Sequence, residues 1–459
     1  MTRPLWTARE LTDALGLAES VLVDVDGVSI DSRSLERGDL FVALSGVPDA
    51  RYRGAAGSGR DGHDFVAAAA RRGAAAALVS RRVDSDLPQL LVADTFTALW
   101  QLAACARKRF LGPVFAVTGS SGKTTVKGML AAALPGSHAS EGSFNNHIGV
   151  PLSLARLAQD AQAGIFEIGM NSPGEIAPLS ELVRPNVALV LNVLGVHLEG
   201  LGSLDAIRRE KLSIAAGLDA DGALVVPDSL DLDDSHHSGS RVTFGSGVHA
   251  DVRLVEEGGV ACIRLPDGNN LALRLVVDGP HRRLSATAVI ACLVAAGMDP
   301  AAALPCLEAM QPPKGRGGSH HAAGVRVIDD SYNANPDSIR LALQALREQP
   351  ATRRFALLGD MLELGVDELA LHRILAAACH GLDGVFCVGE RMAALHDALP
   401  PVLRAGWWPD CQAMDIDAIA AELRAGDVIL VKASNRLFWK SATVSGLLTA
   451  LERQANGGA

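Results

Sequence analysis

The 459-residue sequence predicts an α/β protein of three domains, the central one a mostly parallel sheet with helices on both faces. Three observations lead there. From Pro113 onward short apolar or β-branched runs alternate with helical spacing: residues 114–117, 165–168 and 187–193 read as strands and 126–134 as a helix. A Gly-rich turn joins the first of these strands to its helix. A Pro/Gly-rich basic linker, Gln311-Pro312-Pro313-Lys314-Gly315-Arg316-Gly317-Gly318, then interrupts the alternation, which restarts with strands expected at 325–328, 355–358, 385–388 and 428–431.

The remaining elements follow in chain order. Thr7-Ala8-Arg9-Glu10 is a capping box leading into a helix through Leu11 and Leu15. Apolar runs at 40–44, 77–79 and 90–92, with an Ala-rich helical stretch at 65–70, make a small α/β unit that ends near Arg109. Between 223 and 278 the texture changes to short runs and turns such as Asp267-Gly268-Asn269-Asn270, which predicts an antiparallel insert. The expected domains are 1–110, 111–314 and 315–459, with no internal repeat.

Composition excludes several classes. With 48% hydrophobic and 20% charged residues the chain is not disordered, and 4% aromatics leaves the cores to Ala, Val, Leu and Ile. A net charge of −10 argues against polymeric nucleic acid or an anionic membrane as partner, while leaving room for a local phosphate pocket. Cys105, Cys262, Cys292, Cys306, Cys379, Cys387 and Cys411 are odd in number and form no C-x-x-C pair; they read as small buried hydrophobes in a reducing compartment. The first seventeen residues carry Arg3, Arg9, Glu10 and Asp13 and so lack a signal-peptide core. The longest stretch free of Asp, Glu, Lys and Arg, 284–298, is short of the roughly 20 residues a membrane span needs. A cytoplasmic location and no membrane insertion are expected.

The sharpest motif is Val117-Thr118-Gly119-Ser120-Ser121-Gly122-Lys123-Thr124-Thr125, between an expected strand and an expected helix. Gly119 and Gly122 let backbone N–H groups turn inward around phosphate oxygens, the helix N-terminus favours anions, Lys123 supplies a point charge and Thr124 a hydroxyl for Mg²⁺. Val117 occupies the first glycine position of the usual phosphate-loop pattern. A bare Gly-rich turn before a helix would not need lysine and paired threonines in this order, so the loop reads as a nucleotide site. A second pattern, Gly57-Ser58-Gly59-Arg60-Asp61-Gly62, matches a dinucleotide fingerprint as text, but no strand precedes it and it reads as a loop.

Thr-Gly-x-x-Gly-Lys-Thr-Thr without the early glycine resembles the ATP loop of the Mur ligases, the amino-acid-adding enzymes of peptidoglycan synthesis. Further segments resemble the same family in order: Asp31-Ser32-Arg33 with Gly38-Asp39-Leu40-Phe41; Asp61-Gly62-His63-Asp64-Phe65; Asn145-Asn146-His147-Ile148-Gly149; Glu167-Ile168-Gly169-Met170-Asn171; His197-Leu198-Glu199; Asp329-Asp330-Ser331-Tyr332-Asn333-Ala334-Asn335-Pro336; and Leu358-Gly359-Asp360-Met361. The resemblance implies three domains: an N-terminal one holding a UDP-sugar, a central ATPase of the phosphate-loop type, and a Rossmann-like C-terminal one. It implies ATP-dependent ligation through an acyl phosphate. The last two segments favour the branch that adds D-alanyl-D-alanine to UDP-N-acetylmuramoyl-tripeptide, and a monomer is expected.

Residue by residue, the resemblance puts Gly119, Ser120, Ser121, Gly122, Lys123, Thr124, Thr125, Asn145, Asn146, Arg316, Asp330, Asn333 and Asn335 around ATP. It puts Asp31, Ser32, Arg33, Asp61, Gly62 and His63 on the UDP-sugar. Glu167 ends an expected strand and His197 follows another, where open α/β sheets hold ligands. With Thr124 they are expected to hold Mg²⁺, two ions in all. Lys211, in Arg208-Arg209-Glu210-Lys211-Leu212, would be a solvated helix charge on ordinary grounds. By resemblance it is a lysine carbamylated by CO₂, which needs a neutral amine and yields an anion able to help hold the second ion.

Three departures stand out, the first being that Leu212-Ser213 follow Lys211 where the family usually has Gly-Glu. Gly279-Pro280-His281-Arg282-Arg283-Leu284-Ser285 carries Arg282 and Ser285 where the family commonly has asparagines against adenine, and residues 49–59 look like an insertion. A Mur ligase adding a different amino acid, a folylpolyglutamate-synthase-like ligase, and a regulatory ATPase are the alternatives.

Overall fold

The computed structural model describes residues 3–18, 21–45, 59–195, 201–231, 239–362, 364–434, 437–438 and 441–457. Among them the strands form three successive sheets of four, nine and six strands. The suggested insertion at 49–59 falls, apart from Gly59, outside the described residues.

The first sheet is β1 (Gly27–Ser29), β2 (Asp39–Val42), β3 (Ala76–Val79) and β4 (Gln89–Leu91), all parallel. Helix α1 (Ala8–Leu15) starts at the capping box: Glu10 N–H donates to Thr7 Oγ1 at 3.2 Å, and Thr7 N–H donates to the Glu10 carboxylate at 2.8 Å. The alanines of α2 (Val66–Arg71) cover the sheet. Helix α3 (Thr95–Arg109) binds this unit to the next, since its Leu99, Leu102 and Ala106 share one core with Leu152 and Ala155. Trp6 Nε1 donates to Ala155 O at 2.8 Å while the Arg109 guanidinium covers its ring at 3.7 Å.

The central sheet contains β5 (Val114–Thr118), β6 (His138–Ala139), β7 (Gly164–Glu167), β8 (Val187–Val190), β9 (Ala223–Pro227), β10 (Ser240–Gly245), β11 (Val252–Glu257), β12 (Val260–Arg264) and β13 (Asn270–Ala272). β5 is buried at all five positions and lies between β7 and β8, as a strand covered on both faces must be apolar throughout. Chain order reverses at β5, with β6 and β7 on one side and β8 on the other. That reversal is where open α/β sheets keep their ligand crevice. Helices α4 (Lys123–Ala133), α5 (Gly149–Ala155), α6 (Ile176–Val183), α7 (Leu204–Leu212) and α8 (Pro280–Ala295) pack around it.

The expected antiparallel insert is corrected by the structure. β9, β10 and β11 continue the central sheet in parallel, and only β11–β12–β13 is antiparallel. Ala223 to Val226 are buried in succession, which suits an interior strand beside β8; the Asp267-Gly268 turn marks the final hairpin alone. The charge-free stretch lies mostly in α8, where Ser285 to Leu293 are all buried, so it is a core helix. No helix among the described residues is long and apolar enough to cross a membrane. All seven cysteines are free; Cys262, Cys292, Cys379 and Cys387 are buried as expected, whereas Cys105, Cys306 and Cys411 are half-buried.

The third sheet pairs β14 (Gly318–Ala322) antiparallel to β15 (Val325–Asp329). It continues in parallel through β19 (Val428–Lys432), β16 (Arg354–Gly359), β17 (Gly384–Val388) and β18 (Arg404–Trp408). The linker runs directly into its first strand.

The turn after α7, Ser213–Gly217, is pressed onto α6: Ser180 Oγ donates to Ile214 O at 2.5 Å, and a Cβ on Gly217 would lie 2.0 Å from Ser180 O. Gly217→Ala is therefore expected to destabilise the fold by about 1–3 kcal/mol. Thermal unfolding checks this, and an unchanged midpoint would show that α6 and the turn are not in register.

Candidate active site

The phosphate loop leaves the C-terminal end of β5 and turns into α4 through Gly122, whose φ of +81° only glycine adopts without strain. Asn192, just past β8, fixes its shape. Its Oδ1 accepts from Ser120 N–H and Ser121 N–H at 2.9 Å each, and its Nδ2 donates to Ser121 O at 3.0 Å. Lys123 Nζ donates to Gly119 O at 2.8 Å. Thr124 Oγ1 donates to Glu167 Oε2 at 2.7 Å, and Asn145 Nδ2 donates to Glu167 Oε1 at 2.7 Å. Thus β5, β7 and the turn before α5 bring together three separate sequence segments. Asn146 serves the backbone instead, its Oδ1 accepting from Gly149 N–H at 2.9 Å at the start of α5.

Lys211 is not a surface lysine. It is 1% exposed near the end of α7, and burial, followed by the Lys123 charge, holds its amine well below the ordinary lysine value against the opposing pull of Glu210. Glu210 itself accepts from Gly174 N–H at 2.7 Å and Ile176 N–H at 2.9 Å, tying α7 to the start of α6. His197 lies outside the described residues.

A cavity of about 710 Å³ opens between this loop and the C-terminal domain, with Lys123, Thr124 and Glu167 on one wall and Asp330, Asn333 and Lys432 on the other. Lys432 Nζ reaches Asp330 Oδ2 at 2.6 Å and Asn333 O at 3.0 Å. Asn335 caps the next helix, its Oδ1 accepting from Ser338 N–H at 2.8 Å. Arg316 stacks over the Tyr332 ring at 3.9 Å, and the Tyr332 hydroxyl meets that of Ser143 in the central domain. Arg282 is buried and donates to Arg316 O at 2.6 Å, while Ser285 Oγ donates to His281 O within α8 at 2.8 Å. Both replacements, Arg282 and Ser285, are thus bonded to this chain's own backbone.

The expected UDP-sugar residues do not line this cavity. Arg33 Nη2 pairs with Asp31 Oδ2 at 2.7 Å. His63 is buried, holding Asp61 through Nδ1 at 2.6 Å and accepting from Ser80 N–H through Nε2 at 2.9 Å. Hydrogen bonds from His63 and Arg81 hold the Asp61 carboxyl at about 2. Gly62 opens the short helix Gly62–Phe65, so the dinucleotide-like text ends in a capped turn. Sequence reasoning passed over Lys127, Asn192, Glu210 and Lys432. A lysine four residues after Lys123 on a buried helical stripe was the one available signal.

Residues 117–293 match the Mur ligase middle domain, and residues 315–435 match the Mur ligase glutamate ligase domain. The UDP-N-acetylmuramoyl-tripeptide–D-alanyl-D-alanine ligase of Escherichia coli K12 is 37% identical over 409 residues, covering 85% of this chain and 88% of that protein. The chain belongs to the Mur ligase family. The Bacillus subtilis ligase of the same name is 33% identical, over 89% of this chain and 90% of its own length. Among solved Mur ligase structures, MurF from Acinetobacter baumannii superposes with a TM-score of 0.83 at 31% identity, covering 97% of this chain and all of that one. MurF from Thermotoga maritima in complex with ADP gives 0.76 at 27% identity, over 94% and 98%. The three-domain Mur ligase architecture accordingly holds here.

The Arg316–Tyr332–Ser143 contacts strap the linker across the cavity. Tyr332→Ala should accelerate tryptic cleavage after Lys314 and Arg316 several-fold without unfolding the protein; an unchanged cleavage rate would show that these contacts do not hold the linker.

Proposed function

We propose that this protein joins D-alanyl-D-alanine to UDP-N-acetylmuramoyl-tripeptide at the expense of ATP, in cytoplasmic peptidoglycan precursor synthesis. The observation that carries the reading is the convergence of a phosphate loop, a buried carboxylate and a buried lysine held below its ordinary pKa, in a chain alike to ligases of that name over most of its length.

The γ-phosphoryl group of ATP passes to the terminal carboxylate of the tripeptide, giving an acyl phosphate and ADP. The dipeptide amine attacks that carbonyl carbon, a proton leaves the nitrogen, and phosphate departs as the amide forms. Lys123 exchanges Gly119 O for phosphate oxygens, so positioning and charge neutralisation carry the catalysis. Asp330, Asn333 and Arg316 stand on the facing wall, where they reach the nucleotide and exclude water from the hydrolysable anhydride.

Mg²⁺ fits the donors present. Thr124 Oγ1 and Glu167 Oε2, 2.7 Å apart at the loop, are hard oxygens of the kind that ion takes alongside phosphate. Bound there it would neutralise charge on the transferring phosphoryl group. The neutral Lys211 amine attacks CO₂, forms the N–C bond and loses one proton; the resulting carbamate, with His197, would supply donors for a second ion. The N-terminal residues Asp31, Ser32, Arg33, Asp61, Gly62 and His63 form the side of the molecule offered to the UDP-sugar. The division at 110 and 314 separates three substrate-handling units, working as a monomer.

Phosphate release should require ATP, UDP-N-acetylmuramoyl-tripeptide and D-alanyl-D-alanine together. Release indifferent to both the acceptor and the dipeptide would instead identify a regulatory ATPase. Lys211→Ala should lower turnover by about a hundredfold or more, with ADP affinity within about threefold of the parent. Undiminished turnover in that variant rules out the carbamate.

A further inference from the structure

Lys127 belongs to none of the roles above, yet it is among the most enclosed charges in the molecule at 5% exposure. It projects from α4 one turn beyond Lys123 and one below Thr124, on the helix face that meets β7. Its Nζ donates to Ser140 O at 2.6 Å and to Gly142 O at 2.5 Å, and lies 3.7 Å from Glu167 Oε2. The turn it grips leads directly to Ser143, which meets Tyr332, and to Asn145, which holds the other oxygen of Glu167. Ser140 is tied to the same carboxylate residue from a second direction, since its Oγ accepts from Glu167 N–H at 3.2 Å.

An ammonium ligates no metal, and here it is hydrogen-bonded to two carbonyls and ion-paired with one carboxylate. A buried lysine whose only task was packing would be replaced by an apolar residue without loss, because a buried charge is costly unless paired. We propose that Lys127 is a positioning residue: by clamping the 140–142 turn and facing Glu167, it sets the carboxylate in the geometry that takes the magnesium ion of the Mg²⁺–nucleotide. This rests on the reading of the loop as a Mg²⁺–nucleotide site.

The clamp has a directional consequence. Without it, Asn145 and Glu167 are free to turn, so the metal-dependent part of nucleotide affinity falls while the part made by the loop amides and Lys123 stays. A purely structural lysine would change stability and leave that ratio alone. The test is ADP binding by calorimetry, in EDTA and in Mg²⁺, for the parent protein and for Lys127→Met, which keeps the stem and removes the donors. Mg²⁺ is expected to strengthen ADP binding in the parent, and this gain to shrink at least tenfold in Lys127→Met with EDTA affinity within threefold. An equal gain in both proteins overturns the inference. A parent that binds no ADP overturns the nucleotide reading instead.

A second measurement needs no variant and covers the case in which Lys127→Met does not fold. In a crystal structure of the parent with Mg²⁺ and ADP, Lys127 Nζ should keep both carbonyls while Glu167 turns from Thr124 to the ion. A Lys127 found on the nucleotide phosphates would make it a ligand-binding residue and end the proposal.

Discussion

Glu167 is 1% exposed, with Thr124 and Asn145 hydrogen-bonded to its two oxygens and Lys127 facing it at 3.7 Å. A carboxylate this far from water requires donors and cations arranged around it, because desolvating an ion is costly unless its partners are already in place. Three elements meet here: α4 supplies Thr124 and Lys127, the segment before α5 supplies Asn145, and β7 supplies the carboxylate. The register of β5 against β7, with Val117 beside Glu167, therefore sets the distance between loop and carboxylate. Lys123 and Lys127 both feel this acid, and Lys211 lies within reach of Lys123 with Glu210 as its own acid, so three buried amines share two buried carboxylates. Burial pushes all three amines down, furthest for Lys211, and the cavity opens beside Lys123.

This explains why an acidic chain suits anionic substrates. The net charge of −10 is spread over the surface, where water and salt screen it. Lys123 lines the cavity in a desolvated setting where screening is weak, and at such a place a single cation attracts a phosphate strongly whatever the net charge of the chain. Whole-chain charge speaks to polymers and surfaces; the desolvated cluster speaks to nucleotides.

Much of the fold was legible from local pattern. The capping box at Thr7, the buried run of β5, the Gly-rich turn and the four main strands after the linker each announce themselves within ten residues. The site was legible in its nucleotide half for the same reason, since Gly119 to Thr125 are contiguous. What was not legible depends on partners distant in sequence. Lys127 looks like any helix lysine until its ammonium is seen on Ser140 and Gly142. Asn192 is 71 residues from the Ser121 N–H it holds, and Lys432 is 102 from Asp330. The strand direction of β9 to β11 failed for a related reason: turn residues signal that the chain bends, and pairing with β8 decides which way the next strand runs.

The same distribution of bonds separates what moves from what stays. Loop, carboxylate and α4 are fastened within the central domain by β5–β7 pairing and by side chains that are almost wholly enclosed. Among the described residues the C-terminal wall meets them through polar contacts that include Arg282 on the Arg316 carbonyl and Tyr332, itself stacked under Arg316, on Ser143. These polar contacts lie at the rim of the cavity, whereas the hydrogen bonds of the Glu167 cluster do not cross the gap. Here the departure at Arg282 acquires a mechanical meaning. An asparagine is too short to serve as the same strut, whereas an arginine spans from α8 to the linker backbone. This chain thereby ties α8, which borders the cavity, to the linker that leads into the C-terminal sheet.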